Sequence, residues 1–333
     1  MKKEIGSEFW DIPLAEQDNN IFPGNAYWFV SGRSALIAII SDIRKYKQLN
    51  SVAMPSWCCD SIIVPFIQNG ITVSFYNPFK QLMGINTDAL VIMDYFGYEG
   101  HNRIEGYNGI TIRDVTHSIF TTQHTDADYY FGSLRKWAGF ASGGYAWGFI
   151  NPITYEGYNQ EYTNCRHYAM ELKKQYISAL TGHIDALGEK EIFLACFSRA
   201  EEQLNNGKIE HADANDISYA KKMNVEAIKE RRRKNASVLL SGIKEFAIYP
   251  SLNKNDCPLF VPIRINNRDE VRKQLINQGI YCPVHWPLTE YHTIDEESKK
   301  IYKEELSLIC DQRYDEKDMS YILEVVLSRK GEL

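Results

Sequence analysis

The residues best suited to chemistry lie in one short stretch, Asp128–Gly144, which reads DYYFGSLRKWAGFASGG. Near its centre is Lys136, which follows Ser133 and Arg135 and precedes a run of glycine, alanine and serine residues. A lysine amine forms a Schiff base with a carbonyl compound when desolvation or neighbouring cations make it nucleophilic near neutral pH. We therefore interpret Lys136 as the candidate catalytic group. The alternative is an ordinary surface lysine in a loop.

A second stretch, Ser31–Ser34 with the sequence SGRS, is suited to binding an anion. Ser31 or Gly32 is expected to cap a helix, because apolar residues recur at helical spacing just beyond it. The unpaired N–H groups at such a helix start point outward and attract phosphate. Gly32, Arg33 and Ser34 are therefore candidate phosphate-binding residues. A plain helix cap is the alternative.

Further candidates follow predicted strands. Strands that alternate with helices or loops predict an open α/β sheet, in which ligands sit beyond the carboxyl ends of the strands. Asp114 ends one predicted strand, His117 follows it, and Trp57 follows another. A solvent-exposed strand-end aspartate with a satisfied polar histidine beside it is the ordinary alternative.

Taken together, these residues match the requirements of pyridoxal phosphate. That cofactor needs a phosphate cradle, a carboxylate for its pyridinium nitrogen, an aromatic wall and a lysine. The cradle would be Ser31–Ser34 with Ser133, the carboxylate Asp114, the wall Trp57 and the lysine Lys136. The carboxylate keeps the ring nitrogen protonated, so that the ring accepts electrons. We expect pyridoxal 5'-phosphate as the cofactor and no metal.

Composition and charge exclude several other classes. The chain has 333 residues and a formal net charge of −6, which gives no electrostatic case for nucleic acid or an anionic membrane. No apolar run approaches the ~20 residues of a membrane helix, and the N-terminus lacks a signal-peptide apolar region. The seven cysteines show no metal-type spacing, so we expect reduced thiols in a cytoplasmic protein.

The chain is expected to divide into an N-terminal arm, a large domain and a small domain. The arm covers residues 1–25, the large cofactor-binding domain 26–240 and the small C-terminal α+β domain 241–333. Residues 151–215 are expected to be largely helical. One long helix is predicted from about Asp216 to Leu240, and its basic run Arg231–Lys234 is interpreted as a solvated face.

The motifs resemble those of the DegT/DnrJ/EryC1/StrS sugar aminotransferases, which are fold type I pyridoxal-phosphate enzymes. The matching segments are GSEF at Gly6, SGRSAL at Ser31, MPS at Met54, GITVSFY at Gly70, DVTH at Asp114, Lys136, RDEVR at Arg268, GI at Gly279 and VHWP at Val284. The resemblance implies an α/β fold with a large domain built on a mainly parallel seven-stranded sheet, a smaller C-terminal α+β domain, and a homodimer.

The resemblance also implies a reaction, namely transfer of an amino group from L-glutamate to a nucleotide-linked keto-sugar. Such a step belongs to surface polysaccharide or deoxy-amino-sugar biosynthesis. Lys136 would hold the cofactor and shuttle a proton, and Asp114 would pair with the pyridine nitrogen. His117 would support Asp114 or the 3-oxygen of the ring. Trp57 is expected to stack on the ring, although a gap-free alignment places Cys59 there.

Two features bear on the substrate. His285, in the segment HWP, is expected to shape the substrate pocket together with residues 151–215; a structural histidine is the alternative. Ser133 lies three residues before the lysine, whereas these sugar enzymes usually place a serine five before it. The segment SLRKW therefore resembles the S-x-H-K-W segment of class V aminotransferases and cysteine desulfurases. By that match Ser133 and Arg135 would contact the phosphate.

Two alternative functions stay open. One is a class V-like lyase or desulfurase that acts on an amino acid. A desulfurase needs a mobile nucleophilic cysteine, whereas Cys257 and Cys282 lie in predicted strands, where a buried thiol is expected. The other is a non-catalytic regulator with the same fold, which would need neither Lys136 nor Asp114.

Overall fold

A computed structural model of the chain describes residues 4–80, 84–99, 106–121, 126–181 and 187–328. The chain forms two compact units. Unit 1 consists of Met1–Glu4, Glu8–Lys45 and Phe131–Asn224, and unit 2 of Ile5–Ser7, Tyr46–Tyr130 and Val225–Leu333. This division differs from the predicted arm, large domain and small domain, whose boundaries stay a prediction.

The described residues contain thirteen strands and nine helices. The strands are β1 (Ile5–Gly6), β2 (Tyr27–Phe29), β3 (Ser51–Pro55), β4 (Thr72–Tyr76), β5 (Ala89–Met93), β6 (Ile110–Asp114), β7 (Tyr129–Ser133), β8 (Gly144–Trp147), β9 (Gly157–Tyr158), β10 (Glu210–His211), β11 (Val261–Arg264), β12 (Ile280–Tyr281) and β13 (Glu305–Leu308). The helices are α1 (Gly32–Arg44), α2 (Asp60–Gln68), α3 (Gln160–Thr181), α4 (Leu187–Gln203), α5 (Ala214–Lys222), α6 (Val225–Ile243), α7 (Arg268–Asn277), α8 (Glu296–Glu304) and α9 (Glu316–Leu327). Leu134–Lys136 form a single 3₁₀ turn.

Unit 1 combines a mixed group of strands with helices. Strand β2 runs antiparallel to β8 and to β10, and β10 runs parallel to β9. Helix α1 packs on β8, and α3 packs along α4. The contact between α3 and α4 buries Met170, Tyr176, Phe193 and Phe197, so the two helices share an apolar core.

Unit 2 contains a parallel sheet with the strand order β4-β3-β5-β6. Every residue of β5 and β6 is buried, as the nearly unbroken apolar run at Ala89–Met93 predicts for a parallel strand covered on both faces. Met93 pairs with Asp114 in register. Asp114 is therefore the last residue of a fully buried strand.

A second core in unit 2 lies among its C-terminal elements. Strands β11 and β13 pair antiparallel, and helices α6 and α9 pack together beside them. The two-residue strand β1 pairs in parallel with β12, so Ile5 of the predicted arm belongs to this core. Helix α9 begins with a capping box between Asp315 and Asp318.

The predicted long helix from Asp216 to Leu240 is wrong, because two helices, α5 and α6, occupy this part of the chain. Met223 is extended and bridges Leu14, and the Asn224 N–H donates to the carbonyl of Pro13. Backbone pairing with the arm thus ends α5, although the local sequence favours helix.

The predicted solvated face at Arg231–Lys234 is only half right. Arg231 and Lys234 are exposed and pair with glutamates. Arg232 is fully buried, and its guanidinium donates to the carbonyls of Pro258 and Leu259. A buried guanidinium is tolerated here because carbonyl oxygens accept its hydrogen bonds.

The α/β class is confirmed, whereas the predicted strand number is not. The seven-stranded sheet stays a prediction; four parallel strands, in the order β4-β3-β5-β6, lie side by side in unit 2. The helical prediction for residues 151–215 is confirmed over α3 and α4, and residues 182–186 lie outside the described part of the chain. In the described ranges no helix combines the length and the apolar character needed to cross a membrane.

Candidate active site

In unit 1 the start of α1 lies beside the end of β7. Ser31 caps α1, because its Oγ accepts a hydrogen bond from the Ser34 N–H at 3.1 Å. A Cβ added to Gly32 would lie 3.3 Å from the Gly132 carbonyl oxygen and 3.5 Å from the Cβ of Ser133. The N–H groups of the first turn of α1 and the Ser133 side chain therefore border one small region, which is suited to an anion.

The side chains next to Gly32 already have partners of their own. The Ser34 Oγ accepts a hydrogen bond from Glu210 N and donates one to the Lys208 carbonyl, both at 2.9 Å. Arg33 donates to the Asn205 Oδ1, and its buried Nε has no hydrogen-bond partner in the described residues. The hydroxyl of Ser34 is therefore occupied, and its N–H already donates to Ser31, whereas Arg33 keeps an unused donor.

Lys136 ends the 3₁₀ turn that follows β7. It is exposed, and within the described ranges it makes no hydrogen bond or ion pair. The small-residue loop after it is buried and held at two points. Leu134 N donates to the Gly143 carbonyl, and Gly139 N donates to the Asp11 carbonyl of the arm. The lysine thus has a free amine on a fixed turn.

Arg135 points into a cluster of charged side chains. Its Nη1 donates to the Tyr162 hydroxyl at 2.9 Å, and its Nη2 forms an ion pair with Glu201. The guanidinium of Arg166 lies 3.3 Å from the same Glu201 and 3.1 Å from Glu8. The Nε atoms of both arginines are buried without a hydrogen-bond partner in the described residues.

Glu8 of the arm is the carboxylate that these cations share. Burial raises the pKa of Glu8, but nearby positive charges, that of Arg166 first, outweigh burial and lower it to about 2. The other contributing cations are Arg135, Lys136 and Lys173. These four cations outnumber the two carboxylates Glu8 and Glu201, so the region around Lys136 favours negatively charged ligands. We did not predict this role for Glu8, although it lies in the GSEF segment.

In unit 2, Asp114 and His117 follow β6 and both are buried. The Asp114 Oδ1 accepts a hydrogen bond from Thr116 N at 2.8 Å. The Nδ1 of His117 accepts one from Phe96 N at 3.3 Å, and its ring stacks on Trp286 at 5.8 Å. Because Nδ1 is an acceptor, the neutral ring carries its proton on Nε2. Asp114 and His117 therefore have fixed orientations.

Trp57 is a core residue within unit 2. Its ring is 1% exposed and stacks on Tyr95 at 4.9 Å, while its Nε1 donates to the His285 carbonyl at 2.6 Å. Cys59 is partly exposed at the start of α2, with its Sγ 2.7 Å from the Ser61 hydroxyl. Which of the two positions forms the cofactor wall stays a prediction; Trp57 is buried, whereas Cys59 is partly exposed.

His285 is also buried, and its ring is held by a chain of hydrogen bonds. Its Nδ1 lies 2.7 Å from Ser307 Oγ, which donates to Glu305 Oε1 at 2.5 Å. The His285 N–H donates to Glu305 Oε2 at 2.6 Å. Burial raises the pKa of Glu305 to about 8, although hydrogen bonds from Ser307 and His285 oppose the shift. This environment matches the structural alternative for His285.

The predicted site residues thus fall into two groups. Unit 1 contains Gly32, Arg33, Ser34, Ser133, Arg135 and Lys136; unit 2 contains Trp57, Cys59, Asp114, His117 and His285. Sequence reasoning missed Glu8, Arg166, Glu305 and Ser307. The only sequence signal for Glu305 is a charge at the head of the apolar segment ELSL.

Comparison with known proteins shows the fold. No family model matches the sequence, and no curated protein matches it. Among solved structures, PseC of Helicobacter pylori, an aminotransferase involved in the biosynthesis of pseudoaminic acid, is 14% identical, with 97% of this chain and 99% of that chain covered and a TM-score of 0.62. The putative sugar aminotransferase Spr1654 of Streptococcus pneumoniae, in its PMP-form, is 13% identical over 98% of this chain and 100% of that chain, with a TM-score of 0.62. A DegT DnrJ EryC1 StrS aminotransferase of Brucella abortus is 17% identical over 92% and 86%, with a TM-score of 0.58. The chain has the fold of these aminotransferases, which confirms the predicted fold class.

The raised pKa of Glu305 predicts a pH-dependent stability. The folded state keeps a proton up to about pH 8, whereas an unfolded glutamate, with a pKa near 4.5, loses it earlier. The stabilisation by this group is complete below the unfolded pKa and is lost as the pH rises to about 8. Between about pH 4.5 and pH 8, the free energy of unfolding of wild type should therefore fall by up to ~1.4 kcal/mol per pH unit relative to that of Glu305→Gln.

Urea unfolding of wild type and of Glu305→Gln between pH 5 and pH 9 measures the difference between their free energies of unfolding. Glu324→Gln, at an exposed position of α9, is the control and should follow wild type. If the free energies of unfolding of wild type and Glu305→Gln differ by the same amount at every pH, the prediction that Glu305 is protonated in the folded state is contradicted.

Proposed function

We propose that this protein is a pyridoxal-phosphate-dependent aminotransferase that transfers an amino group from L-glutamate to a nucleotide-linked keto-sugar. The observation that carries the proposal is the approach of the α1 start to Ser133, three residues before the exposed amine of Lys136. An anion cradle beside an accessible lysine suits an aldehyde that carries a phosphate.

The residues present fit this cofactor. A Cβ at Gly32 would lie 3.3 Å from the Gly132 carbonyl oxygen and 3.5 Å from the Cβ of Ser133, so glycine allows the start of α1 to lie close to Ser133. Arg33 and Arg135 each have a buried Nε without a hydrogen-bond partner in the described ranges, as expected of groups that face an anionic ligand. Asp114 is a buried carboxylate at the end of β6, as the pyridinium nitrogen requires.

Lys136 and Asp114 would have different roles in the reaction. Pyridoxal phosphate, when bound, supplies an aldehyde that bonds to an amine and a ring that accepts the electron pair released at the substrate carbon. Lys136 supplies the amine that holds the cofactor. Lys136, once released, would act as general base at the substrate Cα and as general acid at C4′. Asp114, as a carboxylate, would keep a proton on the ring nitrogen.

His117 supports this arrangement through its tautomer. Because Phe96 N–H occupies Nδ1, the neutral His117 presents an N–H at Nε2. That donor suits either role expected for it, towards Asp114 or towards the 3-oxygen of the ring.

The positive charge near Lys136 and the similar solved structures support a keto-sugar substrate. Four cations around Glu8 give the Lys136 region a positive excess, which suits the phosphates of a nucleotide-linked sugar. PseC acts in the biosynthesis of pseudoaminic acid, and Spr1654 is a putative sugar aminotransferase. A role in surface polysaccharide or deoxy-amino-sugar biosynthesis would follow. None of the seven cysteines forms a disulfide, which supports a cytoplasmic location.

The desulfurase alternative loses support from the buried thiols. Cys257 and Cys282 are at most 1% exposed, and burial raises the pKa of each to about 12. A protonated, inaccessible thiol is a poor nucleophile. Neither cysteine can therefore serve as the mobile nucleophile that a desulfurase needs.

The proposal predicts a yellow protein whose visible band shifts when L-glutamate converts the cofactor to its amine form. Asp114→Asn should still bind the cofactor but should convert it at least ~10²-fold more slowly, because the ring nitrogen loses its proton more readily. Stopped-flow absorbance measures both rates. Asp269→Asn, at an exposed carboxylate on α7, is the control and should react like wild type. If no amino acid converts the cofactor, the aminotransferase proposal falls, and the lyase or the non-catalytic alternative replaces it.

We also propose a homodimer. Lys136 is exposed in the single chain, whereas its chemistry needs a site from which water is excluded, and a second copy would supply that cover. Light scattering of the cofactor-loaded protein should give twice the mass of the chain, which is 38.4 kDa. A fully loaded and active monomer would contradict the dimer without affecting the reaction proposed.

A further inference from the structure

Three potential metal-binding side chains of unit 1 lie close together, and none of them is a candidate cofactor-binding residue. His167 projects from α3, Asp213 caps the start of α5, and Asp216 lies in the first turn of α5. One ligand atom from each residue lies within 4.8 Å of the other two. This spacing is compatible with a shared cation after a small adjustment of the side chains.

Asp216 is the residue that points to a ligand. Its side chain is 2% exposed, and its Oδ2 accepts hydrogen bonds from both the N–H and the hydroxyl of Ser142, at 2.6 and 2.7 Å. Its Oδ1 is buried and has no hydrogen-bond partner in the described ranges. A buried acceptor without a partner is costly, so Oδ1 is an oxygen that a cation would satisfy.

The surroundings of Asp216 favour a positive ligand. Asp216 and His167 both line a cavity of about 360 Å³, which has room for a cation and its water ligands. Asp11 and Glu171 add negative charge to the wall, and Lys174 adds one positive charge.

We propose that His167, Asp213 and Asp216 form a binding site for a divalent metal ion, with water completing its coordination. An imidazole with two carboxylates is a ligand set suited to ions such as Mn²⁺ or Zn²⁺. The ion would be structural, because Ser142 joins Asp216 to the small-residue loop after Lys136, and the Ser142 hydroxyl also accepts from Asp213 N at 2.9 Å. Binding would therefore fasten this loop to the start of α5. The site does not depend on the proposed aminotransferase function.

Mn²⁺ is the appropriate probe, because its preference for oxygen and imidazole ligands avoids the seven thiols. The purified full chain, with whatever cofactor it carries, is titrated with Mn²⁺, and the free ion is measured by electron paramagnetic resonance. Wild type should bind about one Mn²⁺ per chain, and His167→Gln should weaken binding at least ~10-fold. Asp216→Asn should abolish it.

A matched variant separates this site from other histidines of unit 1. His211 lies two residues before Asp213 and packs on Tyr155, outside the cluster, so His211→Gln should bind Mn²⁺ like wild type. Mn²⁺ should also raise the melting temperature of wild type but not that of Asp216→Asn. If Asp216→Asn does not fold, His167→Gln decides the matter, because His167 is solvent-accessible. Equal binding by wild type and His167→Gln, or no binding by wild type up to ~1 mM Mn²⁺, would overturn the proposal.

Discussion

The start of α1 lies close to the end of β7 because position 32 is a glycine. A Cβ at this position would lie 3.3 Å from the Gly132 carbonyl oxygen, so a larger residue would require a small shift of the α1 start or of the strand. With glycine there, the start of α1 and Ser133 border the same region, and the turn that follows places Lys136 three residues away. The candidate phosphate-binding residues and the candidate lysine therefore lie near one backbone contact of unit 1.

Excess positive charge makes the region around Lys136 favourable for negatively charged ligands. Arg135 and Arg166 share Glu201, and Glu8 of the arm lies among four cations that hold its pKa at about 2. These carboxylates partly neutralise the cations and leave positive charge for a phosphate-bearing ligand. In unit 2, hydrogen bonds from the main chain fix the orientation of the candidate residues. Thr116 N–H orients Asp114, and Phe96 N–H sets the tautomer of His117.

Local sequence signals predicted much of the fold. The apolar runs identified β5 and β6, and Ser31 marked the start of α1. These features depend on residues that are near one another in the chain, which is why pattern and propensity predict them. The order of Lys136 and Asp114 along the chain likewise sufficed to suggest the cofactor.

The features that sequence missed depend on distant partners. The break between α5 and α6 results from pairing of Met223 with Leu14, and the burial of Arg232 depends on carbonyls of Pro258 and Leu259. The counter-charge role of Glu8 needs helix α3, and the raised pKa of Glu305 needs the fold around β13. The aromatic character of Trp57 is visible in the sequence, whereas its packing against Tyr95 is not.

Mass spectrometry can identify the lysine that holds the cofactor. The cofactor-loaded protein is reduced with borohydride, digested, and analysed to find the residue that carries the cofactor. We expect a single modified residue, Lys136, and no modification in Lys136→Ala, while Lys221→Ala, at an exposed lysine of α5, should remain modified at Lys136. Modification of a different single lysine, or modification of Lys136→Ala at wild-type yield, would contradict the assignment of Lys136 as the catalytic group.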